Sequence, residues 1–113
     1  MSVKDVIEEG GLEEFISAMD PNVEWRGLGD DPPVCRNRDE VRRVFEGWLA
    51  RGYSGAPEIV AESGDRLVVD PHVQPPPPEA PQIHHVFTVR EDRIVKMQDY
   101  PDRPSALKAA AVS

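Results

Sequence analysis

At 113 residues the chain has room for one domain with one core and one pocket, because a domain of this size buries only about two-thirds of the surface of its unfolded chain. Thirteen basic against twenty-one acidic residues leave a net charge of -8, which repels phosphate backbones and anionic lipid surfaces, so neither nucleic acid nor a membrane is an expected partner. Cys35 has no partner for an intrachain disulfide, "MSVKDVIEEGG" is too charged for a signal peptide, and no apolar run approaches the roughly 20 residues of a membrane span; a soluble cytoplasmic protein is expected.

Val3, Val6 and Ile7 fall at helical spacing, with Ser2 available as a cap and Gly10 and Gly11 as a stop. Leu12, Phe15, Ile16 and Met19 repeat the i, i+3, i+4, i+7 stripe of a second helix, ended by Asp20 and Pro21. "VEWRGL", starting at Val23, alternates Val23 and Trp25 against Glu24 and Arg26 and predicts the first strand. "GLGDDPPVCRNR" has no period and reads as a loop. Asn37 followed by Glu40 resembles a capping box, and Val41, Val44, Phe45, Trp48 and Leu49 form the clearest amphipathic stripe in the chain, stopped at Gly52.

"PEIVAES" and "RLVVD" flank Gly64 and Asp65, which suit the type II' turn of a hairpin. The run Pro75 to Pro78 cannot sit in a central strand and opens a proline-rich connector over residues 75–81, expected to be exposed. "HHVFTVREDRIVKMQDY", residues 84–100, predicts a second hairpin turning at Glu91 and Asp92, and Ser105 is placed to cap a short helix in the tail, residues 104–113. No internal repeat is visible, and residues 1–113 read as a single domain. Strands and helices are segregated, which argues for an α+β domain: a mostly antiparallel sheet with helices on one face.

The second hairpin carries the candidate chemistry. If Glu91 and Asp92 form a two-residue turn, Arg90 faces Arg93 and regular pairing places His84 opposite Asp99, on a face shared with Val86, Thr88, Val95 and Met97. A one-residue bulge would instead bring His85 beside Asp99, because a register slip exchanges the two faces. Either pair suits proton transfer, since a carboxylate orients an imidazole. Both faces of the hairpin are apolar in the middle, so one is expected over a core or cavity and the other against a second sheet or subunit. Trp25 and Trp48 are candidates for the wall of an apolar pocket or for plain core, with Phe15, Met97 and Val86 as further lining. Cys35 is expected to be an inert small side chain. Adjacent His84 and His85 point to opposite faces of a strand and cannot jointly hold a metal there, so no metal is expected.

"MDPNVEWRG", "VCRNRDEVRRVF" and "HVFTVREDRIVKMQDYPDR" follow, in order, the pattern of the SnoaL-like branch of the nuclear transport factor 2-like superfamily, a resemblance covering roughly residues 6–107. The resemblance implies a cone, a strongly curved sheet wrapped around three N-terminal helices, with a ligand pocket in its mouth and commonly a homodimer. In the polyketide cyclases of this branch an aspartate on the last strand acts as general acid/base with a histidine on the preceding strand nearby. Asp99 matches that aspartate, and His85 matches the histidine by its spacing, whereas regular hairpin pairing favours His84.

The first helix is shorter than is usual in the family, and no tyrosine stands in the N-terminal region to hold an oxyanion as in ketosteroid isomerases. The arginine and two aspartates of limonene epoxide hydrolases have no clear match either, Arg26 being the nearest in type. The expected function is binding of an apolar carbonyl compound, with cofactor-free acid/base cyclase or isomerase chemistry by analogy. The alternative is a non-catalytic dimeric ligand-binding or protein-interaction domain in which Asp99 is structural and pairs with Arg103.

Overall fold

A computed structural model of the chain describes residues 2–29 and 33–111. Residues 30–32 of the expected loop and 112–113 of the tail lie outside the described residues. The elements run α1 (Val3–Glu9), α2 (Leu12–Ser17), β1 (Met19–Arg26), β2 (Val34–Cys35), α3 (Arg38–Ala50), β3 (Glu58–Ser63), β4 (Arg66–Asp70), β5 (His84–Arg90), β6 (Arg93–Tyr100) and α4 (Arg103–Ala109). Six strands form one sheet in the order β2-β1-β6-β5-β4-β3, antiparallel throughout except for the parallel pair β1 and β6. Register shifts in β1, β3 and β6 bend this sheet.

Capping explains where the helices start. Ser2 accepts from the Asp5 N–H while the Asp5 carboxylate accepts from the Ser2 N–H, a complete capping box. Asn37 accepts from the Glu40 N–H at 2.9 Å, but Glu40 reaches one residue past the cap, to the Arg36 N–H. At the far end of α3, Gly52 takes φ +90, the Gly52 N–H donates to Leu49 O, and the Tyr53 N–H donates to Trp48 O. This Schellman pair folds Tyr53 back against Trp48, with ring centroids 6.2 Å apart.

The second helix is shorter than its stripe predicts. It ends at Ser17, and Met19 opens β1, where it is fully buried opposite Ile94. An apolar residue at helical spacing satisfies the core equally well from a strand, so the stripe ran two residues past the helix end. Pro21 lies within β1, in the irregular stretch between Met19 and Glu24 where no regular ladder bond is required of it. β2, two residues long, lies within the segment expected to be loop, and pairs Cys35 with Trp25. Asp102, not Ser105, caps α4: its carboxylate accepts from the Ser105 N–H at 2.8 Å. The proline-rich connector is only partly exposed, since Pro77 and Ala80 are buried.

Two apolar clusters sit on opposite faces of the sheet. The larger joins α1, α2 and α3 to the inner face through Val3, Ile7, Ile16, Val41, Leu67, Val69, Phe87, Ile94 and Met97. The smaller lies outside, where Ala106 and Ala110 at the end of the chain cover Val68 and Val86. On the outer face of the last hairpin, Val86 is met by the chain's own α4. Of the described helices, none is long and apolar enough to cross a membrane.

Candidate functional site

The geometry of the site follows from one bulge. Arg90 pairs with Arg93 and Val89 with Ile94, as the two-residue turn requires, but Thr88 then pairs with Lys96, which leaves Val95 as an extra residue. Beyond it every partner is shifted by one, and His85 lies opposite Asp99 while His84 lies opposite Tyr100. Ile94 and Met97, three residues apart, consequently both face the inner core, which an unbroken strand forbids. Regular pairing, which favours His84 as the partner of Asp99, is corrected in favour of the bulged register.

His85 Nδ1 lies 2.6 Å from Asp99 Oδ1, and both residues are buried. The same carboxylate oxygen accepts from the indole Nε1 of Trp25, also at 2.6 Å. The parallel pairing of Trp25 with Met97 makes this contact possible, because Asp99 lies two residues farther along β6 on the same face. The His85 ring lies nearly parallel to that of Phe87 at 5.9 Å and meets the Trp25 ring edge-on at 6.0 Å. Trp25 is in turn stacked on Phe45 at 5.1 Å.

In front of His85 is a cavity of about 270 Å³, between α1, α2 and α3 on one side and the inner face of the sheet on the other. Val6, Ile7, Leu12, Phe15, Phe45, Trp48, Leu49, Val69 and Phe87 supply most of its wall, and Tyr53, Ser54 and His85 bring its polar side chains. Leu49 is the one large apolar side chain that is mostly exposed among the described residues, and it lies at this cavity.

The predicted site residues therefore separate into three groups. Phe15, Trp48 and His85 line the cavity. Trp25, Met97 and Asp99 share the inner face of the sheet but lie behind that wall, Trp25 and Met97 as core and Asp99 as the partner of His85. Val86 and His84 do not join the site: each alternates with His85 along β5, and Val86 packs under α4 on the outer face. Tyr53 was not anticipated. Its signal lay in Gly52, which stops α3 and turns the next residue back along it.

His84 has partners of its own. Its Nδ1 lies 2.7 Å from Gln82 O, and its Nε2 accepts from Arg103 Nε at 3.2 Å. Arg103 also lies 3.5 Å from Asp70, so the proposed pairing of Arg103 with Asp99 is replaced by one with Asp70 and His84. Arg26 pairs with Glu24 on the surface and takes no part in the site. Burial pushes the Cys35 thiol up, with the charges of Glu40 and Asp99 adding to the effect, so little thiolate is present at neutral pH. Among the described residues no three or more His, Cys, Asp or Glu side chains are grouped to hold a metal ion.

A curved sheet closing on three helices, with a cavity between them, defines the nuclear transport factor 2-like fold. The chain belongs to the SnoaL-like domain family, whose profile matches residues 3–97. A nuclear transport factor 2-like protein from Burkholderia thailandensis is similar in structure, with a TM-score of 0.65 at 17% identity over 97% of this chain and 92% of the other. A protein from Sinorhizobium meliloti provisionally named a polyketide cyclase gives 0.65 at 16% identity, covering 86% of this chain and 88% of that one. TerC, crystallised with polyporic acid, gives 0.59 at 17% identity over 99% and 94% of the two chains. At these identities the likeness carries the fold. No curated protein matches the sequence.

Proposed function

We propose that this SnoaL-like protein binds a small, ring-bearing apolar molecule in the cavity and carries out cofactor-free proton transfer on it. His85 is the group that meets the ligand, and Asp99 orients it from behind. One observation carries the reading: the only member of the buried Asp99–His85 pair that reaches the cavity wall is the histidine. With Nδ1 engaged by Asp99, the rest of the imidazole is available for a proton on the ligand, the arrangement in which a positioned histidine works as a general base. The apolar walls leave few polar groups to compete for that proton.

The reaction class is cyclisation or isomerisation of a compound with an acidic C–H beside a carbonyl, in keeping with the provisional name of the structural neighbour from S. meliloti. The test is hydrogen–deuterium exchange at the α-carbon of 2-tetralone in D₂O, followed by NMR. Wild-type protein should accelerate the exchange, and His85→Gln should abolish the acceleration while keeping the ligand-induced rise in Tm. A second reading, a non-catalytic binding domain, is favoured by the sparse polar lining of the cavity, and it prevails if both forms bind 2-tetralone and neither speeds the exchange.

A further inference from the structure

We infer that Trp25 is a positioning residue: its indole N–H, by occupying Asp99 Oδ1, fixes the tautomer of His85 so that a bare Nε2 faces the cavity. The site then recognises a ligand through a hydroxyl proton, as in a phenol or an enol. This inference rests on the ligand-binding reading above only in its second half.

An indole N–H can only donate, so Trp25 at 2.6 Å requires a lone pair on Asp99 Oδ1. His85 Nδ1 stands at 2.6 Å from that same oxygen. If Oδ1 carried a proton and donated it to Nδ1, the indole would face the hydroxyl oxygen of a carboxylic acid, a poorer acceptor than a carboxylate. The arrangement that satisfies both nitrogens has Oδ1 accepting twice and the shared proton on Nδ1. A neutral imidazole with Nδ1–H has a proton-free Nε2, and a proton-free nitrogen accepts.

Trp25 is well placed to impose this. It is buried, stacked on Phe45 and set edge-on to Trp48 at 6.4 Å, so its indole has little freedom to turn away. Its strand is held on one side by the parallel ladder to β6 and on the other by β2, which pairs Cys35 with Trp25. The consequence is chemical: a ketone has a carbon-bound proton for a base to remove but no O–H to donate a hydrogen bond to Nε2 on binding, whereas a phenol or the enol form of a carbonyl compound has one.

The test reads the tautomer directly, by long-range ¹H–¹⁵N correlation of the imidazoles. Wild-type His85 should show Nδ1–H with a bare Nε2. Trp25→Phe retains an aromatic ring while removing the donor together with part of the indole's volume, and it should produce a detectable Nε2–H population at His85 while His84 is unchanged. Should Trp25→Phe fail to fold, the wild-type spectrum still decides, and Asp99→Asn should shift the Trp25 indole proton but not that of Trp48. A wild-type His85 protonated on Nε2, or a folded Trp25→Phe with the wild-type tautomer, overturns the inference.

The ligand arm compares 2-naphthol with 2-methoxynaphthalene. Wild type should prefer the naphthol by about tenfold, the worth of one good hydrogen bond, and Trp25→Phe should lose that preference. Equal affinity in the wild type overturns the recognition claim. Binding of neither compound ends the cavity reading and this claim with it, and leaves the relay to be settled by the tautomer alone.

Discussion

His84 and His85 are adjacent in the chain and equally buried, each 5% exposed, yet one is finished and the other is open. A carbonyl only accepts and a guanidinium only donates, so Gln82 O and Arg103 leave His84 with Nδ1–H and an occupied Nε2. His85 has its Nδ1 at Asp99, and its Nε2 has no hydrogen-bond partner among the described residues. Burial does not distinguish the two histidines here. What separates them is which sheet face each meets: His84 is tied down by the N-terminal end of α4, while His85 looks into the space left between the sheet and α1, α2 and α3.

The largest expected effect comes from breaking the register that creates this difference. Deletion of Gln98 moves Asp99 one position along β6, opposite Val86 and onto the outer face, away from His85 and Trp25, so it should cost at least about 3 kcal/mol or prevent folding, as urea denaturation would show. A deletion variant of nearly wild-type stability would mean that the register is not what seats the pair. A smaller contrast is expected between the two aspartates that serve the two histidines. Asp99→Asn alters a buried carboxylate oxygen shared by two donors and should cost about 2 kcal/mol. Asp70→Asn should cost under about 1 kcal/mol, because its partners stand at 3.5 Å or more, apart from the His72 N–H that its other oxygen accepts, and Arg103 is half exposed. Equal losses would erase the distinction between the two sites.

The smallest effect concerns acid. Hydrogen bonds from Ser105 hold the Asp102 carboxyl below the usual carboxylate range. A group whose value is depressed on folding stabilises the folded state above its unfolded value, about 3.9, and that contribution is lost as the pH falls through the lower folded value. The protection factor of the Ser105 amide, its exchange rate referred to the unfolded-chain rate at the same pH, should therefore fall below about pH 4. The His84 side, which depends on Arg103 in the first turn of α4, should loosen there before the inner core does. Protection that is flat through this range would detach the cap from the stability of α4.

Much of this was legible in the residues. Asn37 and the stripe from Val41 to Leu49 announced α3, the Gly64–Asp65 and Glu91–Asp92 pairs announced the two hairpins, and the spacing of Asp99 to its histidines narrowed the partner to two. The resemblance to the SnoaL-like family supplied the cone and favoured His85. The remainder was set by contacts between distant segments. β2 is too short to carry a pattern, Met19 serves helix and strand spacing alike, and nothing near Trp25 in the chain discloses that its indole reaches Asp99.

The sequence by itself determined the α+β class, nearly all of the elements, and a short list of candidate side chains for the site. Only the tertiary structure decided which histidine joins Asp99 and which of the pair meets the cavity. The physical reason lies in β6, which pairs with β1 on one side and β5 on the other. Its register must satisfy both ladders while burying Ile94 and Met97 together, and the extra residue at Val95 meets those demands jointly.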